Sequence, residues 1–108
     1  MVFIQGTGSF LPNQPISVDE LEKVLGRIGK NASRSLRIIS RSNGIKTRYF
    51  ALDPETGQPT HTNAQLTAEA VRKAASDAGI EPRQIQLLAC GSSSPDQFFP
   101  GHANMVQG

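Results

Sequence analysis

The chain has 108 residues, eleven Lys or Arg against nine Asp or Glu, and one cysteine. That length fits a single domain able to withdraw roughly 65% of its unfolded surface from water, and the near-balanced charge excludes a bulk polyanion binder or an acidic tail. One cysteine cannot close an internal disulfide and no CxxC or Cys/His cluster is present, which predicts a reducing, cytoplasmic setting without structural zinc or any other metal site.

In chain order, the opening "MVFIQGTGSF" is only briefly apolar and has no basic lead, so it reads as neither a signal peptide nor a membrane span. Val2 to Gln5 favour a buried strand, followed by a loop through "GTG" and "LPNQP". Ser17 and Glu20 have the spacing of a capping box, and Val18, Leu21, Val24, Leu25 and Ile28 recur at helical intervals until Gly26 and Gly29 loosen the pattern. A second helix is predicted over Ser33 to Ser40, closed by Asn43 and Gly44. Ile45 to Leu52 alternate as an exposed strand, and "DPETGQPTHTN" reads as a loop.

Ala64 to Ala78 give the strongest helical pattern, with Thr62 and Gln65 as a capping box and Gly79 as the stop. Its inner side combines Leu66, Ala70, Val71, Ala74 and Ala78, small enough for another element to come close. Ile85 to Cys90 then read as a fully apolar strand, and Pro100 to Gln107 as the start of a helix. The alternation predicts an α/β fold.

Four features invite a chemical reading. Cys90 ends an apolar run, Leu87 to Ala89, without a cation or histidine beside it in sequence, so it reads as a core residue rather than a nucleophile. "GTG" lacks the third glycine of a dinucleotide fingerprint, since that position is Leu11, and its glycines are assigned to a tight strand exit. Neither His61 nor His102 has a carboxylate or thiol partner in view, and Ser92 to Ser94 lack the glycine framing of a nucleophile elbow. Arg27 to Arg48 hold seven of the eleven cations and no acid. A helix there would set Lys30, Arg34, Arg37 and Arg41 on one face. Such a stripe suits a multiply phosphorylated ligand, an acidic protein or nucleic acid; the alternative is a solvated face paired with acids elsewhere.

Taken in order, "I.G.G..LP" from Ile4, "R..GI..R" from Arg41, "AGI.P..I" from Ala78 and "S.PD...P..A..VQ" from Ser93 resemble the N-terminal part of a beta-ketoacyl-ACP synthase III type condensing enzyme of the thiolase fold. The resemblance implies that residues 1–108 form the N-terminal part of a domain layered α/β/α/β/α when complete. It implies an acyltransferase that condenses an acyl thioester with malonyl-ACP in fatty acid or polyketide-like biosynthesis, as a cytoplasmic homodimer that engages neither nucleic acid nor membrane. Coenzyme A or acyl-carrier phosphopantetheine thioesters serve as substrates and no cofactor is needed.

The resemblance implies that the nucleophilic cysteine, histidine and asparagine lie downstream of Gly108, so that Cys90 is not expected to be catalytic and the 108 residues alone are expected to be inactive. Phe99 matches the aromatic that in this family reaches across a dimer interface to line the partner's acyl pocket; the alternative is an ordinary hydrophobic anchor at a loop end. Arg41 falls near the entrance where coenzyme A phosphates or the carrier arm are held, although "RSNGI" is one residue longer than the familiar form. The tryptophan that stacks adenine in many relatives is absent; Ile38 or Arg37 stands there, which favours a carrier-bound donor. Two other readings remain: a non-catalytic module that binds through Arg27 to Arg48, and a condensing-enzyme partner that has lost catalysis.

Overall fold

A computed structural model describes all of Met1–Gly108. The elements run β1 (Ile16–Ser17), α1 (Leu21–Leu25), α2 (Arg34–Asn43), β2 (Thr47–Arg48), α3 (Asn63–Asp77) and α4 (His102–Gln107), with 3-10 turns at Val18–Glu20 and Pro82–Gln84. The chain forms two units: Pro12–Thr60, and Met1–Leu11 with His61–Gly108.

In the Pro12–Thr60 unit, β1 and β2 pair antiparallel in the register Ile16 to Arg48 and Ser17 to Thr47. The Ser17 hydroxyl and amide both donate to the Glu20 carboxylate, at 2.6 and 3.3 Å, and fix the turn that leads into α1. Helix α1 stops at Gly26, whose φ of 85° no other residue adopts cheaply, so the helix predicted to reach Ile28 ends a turn early and Ile28 is fully exposed.

The predicted loop after Leu52 is a hairpin. The Asp53 amide donates to Gln58 O and the Thr60 amide to Ala51 O, which makes Leu52 and Pro59 a non-hydrogen-bonded pair. A proline there forfeits no ladder bond. The Asp53 carboxylate accepts the Glu55 and Thr56 amides at the tip, and these bonds hold its pKa below the usual aspartate range. Asn13, in the left-handed region at φ 57°, ties the preceding loop to this hairpin by donating from Nδ2 to Phe50 O, Leu52 O and Thr60 Oγ1.

In the other unit, α3 begins with the predicted capping box: the Gln65 amide donates to Thr62 Oγ1 and the Thr62 amide to Gln65 Oε1. It ends at Ala78, followed by Gly79 at φ 69°. Ala64 and Ala75 are buried, while the predicted inner residues Leu66, Ala70, Val71, Ala74 and Ala78 are half-buried. The close neighbour that the alanines permit is "GTG" itself. A Cβ on Gly6 would lie 2.6 Å from Ala78 N, and one on Gly8 would collide with the backbone of Ala70 and Ala74. The glycines therefore serve close approach to α3 rather than a turn, and the Thr7 amide adds a hydrogen bond to Asp77 Oδ2 at 2.9 Å.

Two predicted strands are corrected. Residues 2–5 and 85–90 take no part in any ladder, because a strand needs backbone partners and neither run finds one. Val2, Ile4 and Leu87 are 97%, 87% and 84% exposed. The predicted strand Ile45 to Leu52 is likewise reduced to β2 and one side of the hairpin. The molecule exposes 8808 Å², against about 5,800 Å² for a compact monomer of this mass. The expected 65% burial is not reached.

Candidate functional site

The segment after residue 90 is held by α3. Asp96 accepts the Asn63 and Ala64 amides, at 2.8 and 2.9 Å, and Asn63 Nδ2 donates to Ser94 O at 2.8 Å. Two of the orphan N–H groups of the first turn are thus satisfied by a carboxylate 32 and 33 residues away in sequence. The Ala64 amide first, then the Asn63 amide, hold the Asp96 pKa below the usual aspartate range, with His102 adding to the same effect.

His102 opens α4 and lies with Nε2 3.0 Å from Thr67 Oγ1. Since that hydroxyl donates to Asn63 O, Nε2 is assigned as the donor to it and Nδ1 is left buried without a partner. These ties anchor both ends of residues 94–102 and leave Phe98 and Phe99 projecting, at 91% and 89% exposure. Between α3, α4 and residues 85–88 runs a groove of about 500 Å³ walled by Val71, Leu88, Ala103 and Val106.

Cys90 is free and half-buried, without a hydrogen bond or ion pair. The serines form a local turn, in which Ser92 Oγ accepts the Ser94 amide at 3.2 Å, rather than a strand end. His61 lies against the Phe10 ring, centroids 5.5 Å apart, and Lys73 Nζ stands 5.1 Å above that ring on its own account. No group of His, Cys, Asp and Glu is arranged to hold a metal ion.

In the other unit, α2 begins at Arg34, so Lys30 is not part of the predicted stripe, which becomes Arg34, Arg37 and Arg41. Arg27 meets Glu22 at 3.3 Å and Arg37 meets Asp19 at 3.6 Å. Lys30, Arg34, Arg41, Lys46 and Arg48 form no ion pair. Arg41 lies in the last turn of α2, exposed, where a cation suits the helix C-terminus. Arg41 and Phe99 belong to different units.

Sequence reasoning missed Asn13, Asp96 and the Thr67–His102 pair. A first turn in need of acceptors was readable from Thr62 onward. Which distant acid would supply them was not.

No protein-family model matches the chain. Curated proteins do: a beta-ketoacyl-[acyl-carrier-protein] synthase III from Bordetella petrii is 38% identical over 96% of the chain, and one from Rhizorhabdus wittichii is 38% identical over 94%. Along nearly its whole length the chain is similar to beta-ketoacyl-ACP synthase III condensing enzymes. It spans 29% and 28% of the length of those two relatives. A solved tetronic acid condensing enzyme, AbyA1, superposes with a TM-score of 0.75 at 28% identity, over 95% of this chain and 30% of its own. The fold is therefore α/β and matches part of a thiolase-like condensing enzyme.

No helix is long and apolar enough to cross a membrane.

Proposed function

We propose that residues 1–108 are the N-terminal part of a 3-oxoacyl-ACP synthase III-like acyltransferase. What supports this is coverage: curated condensing enzymes match the chain along at least 94% of its length, while the chain accounts for under a third of theirs. In this reading a cysteine in the remaining polypeptide attacks the carbonyl of an acyl-CoA or acyl-carrier thioester, forming an acyl-enzyme and releasing the donor thiol. Malonyl-ACP then loses carbon dioxide. Its C2 carbanion, generated and stabilised by a histidine and an asparagine of that same polypeptide, attacks the acyl-enzyme carbonyl. The new carbon–carbon bond expels the cysteine thiolate and leaves a 3-oxoacyl-carrier.

The part of these 108 residues is to position and bind. Asp96 and His102 hold the loop that presents Phe99 to the acyl pocket of a second subunit, and Arg41 stands at the entrance for the phosphates of the arriving thioester. The test is to incubate the full product of the gene with an acyl donor and malonyl-ACP, following carbon dioxide release and the mass of the acylated peptide. The expected adduct lies on a peptide without Cys90. A gene product of only 11.6 kDa that gives neither adduct nor carbon dioxide would overturn the reading.

A further inference from the structure

The anchors of residues 94–102 all sit on the first turn of α3. Ser94 O accepts from Asn63 Nδ2, the Asp96 carboxylate accepts the Asn63 and Ala64 amides, and His102 Nε2 meets Thr67 Oγ1. The Thr67 hydroxyl in turn donates to Asn63 O, so the anchors are tied to one another as well. Asn63 and Thr67 are four residues apart, a rise of about 6 Å along the helix. The chain from Asp96 to His102 could reach about 20 Å if extended. With its feet so close, this segment arches, and Phe98 and Phe99 stand near the middle of the arch. A foot that moves carries the rings with it.

We infer that Asp96 is a positioning residue that sets the preference for acyl-chain length, because it holds the arch of Phe98 and Phe99 with both carboxylate oxygens at once. The inference rests on the proposed function, in which Phe99 lines an acyl pocket. Oδ1 takes the Asn63 amide and Oδ2 the Ala64 amide. An asparagine side chain offers one acceptor only and sets its Nδ2 against the other N–H, donor to donor. That near-isosteric change loosens one foot of the arch without changing the volume of the loop. A displaced apolar wall weakens binding of a long acyl chain more than that of a two-carbon group, in proportion to the methylenes that lose contact.

The test compares acetyl and octanoyl donors on the full gene product, reading kcat and KM for acyl transfer. Asp96→Asn is expected to lower the octanoyl-to-acetyl ratio of kcat/KM about fivefold or more, mainly through KM for the octanoyl donor, as for one or two methylenes out of contact. Thr62→Ala weakens the same helix start by removing the acceptor of the Gln65 amide, yet touches neither foot of the arch, and is expected to leave the ratio as in wild type. A fall of less than about twofold in Asp96→Asn, or an equal fall in Thr62→Ala, overturns the role of Asp96 while leaving the condensing function standing. Where circular dichroism shows Asp96→Asn unfolded, Asn63→Ala, which removes only the tie to Ser94 O, is expected to lower the ratio about threefold, and an unchanged ratio there overturns the role. A wild-type protein that takes up no acyl group overturns the proposed function and this role together, an outcome the adduct assay reads separately.

Discussion

Helices α2 and α3 are held in opposite ways. The first turn of α3 is fastened by Thr62, Gln65 and Asp96, its end is set by Gly79, and its side is pressed by the backbone of Gly6 and Gly8. The first turn of α2 has no side-chain cap, and the outer face of the helix bears cations without partners. One region holds position and the other presents groups to solvent. Fixation of this kind is costly to disturb, whereas a presented face tolerates change without loss of fold.

The sharpest way to break that contrast is Gly8→Val. Its Cβ meets backbone atoms of α3 that cannot rotate away, so we expect a loss of about 3 kcal/mol or more in chemical denaturation, above the usual range for an overpacked site. Thr62→Ala, which removes one capping acceptor, should lower stability by about 1 kcal/mol.

Asp96 gives the comparison a pH axis. Its folded pKa is depressed, so its contribution is present above the unfolded value near pH 4 and is lost as pH falls through the lower folded value. Stability measured from pH 6 down to pH 2 should fall less steeply in Asp96→Asn than in wild type. The smallest effect belongs to α2: Arg37→Ala removes an exposed ion pair and should change stability by less than about 0.5 kcal/mol.

These residues also show what was legible in advance. The helix from Asn63 and its Thr62–Gln65 box could be read because every determinant lies within four residues of the next. The stop of α2 at Gly44 was readable for the same reason. The hairpin at Asp53 was hidden because two prolines and a glycine read as a loop, whereas Pro59 sits where the ladder asks for no N–H. The clamp by Asp96 and the three hydrogen bonds from Asn13 Nδ2 were illegible because their partners lie more than thirty residues away. Lys30 was assigned to the stripe on spacing alone, and spacing counts only where the backbone is helical. For the site, the residues of the chain gave the cations and the lone thiol, whereas the reaction came only through likeness to longer enzymes.

The two unladdered runs, residues 2–5 and 85–90, have a practical outcome. Apart from the Ile85 amide, which donates to Pro82 O, each offers a row of amides and carbonyls outside any ladder beside bare Val, Ile or Leu side chains, which is a template for further strands. Produced by itself, this polypeptide should self-associate with an order in concentration above one. Turbidity after purification should therefore drop sharply on dilution, and a lysine introduced at Leu87 should keep the material clear.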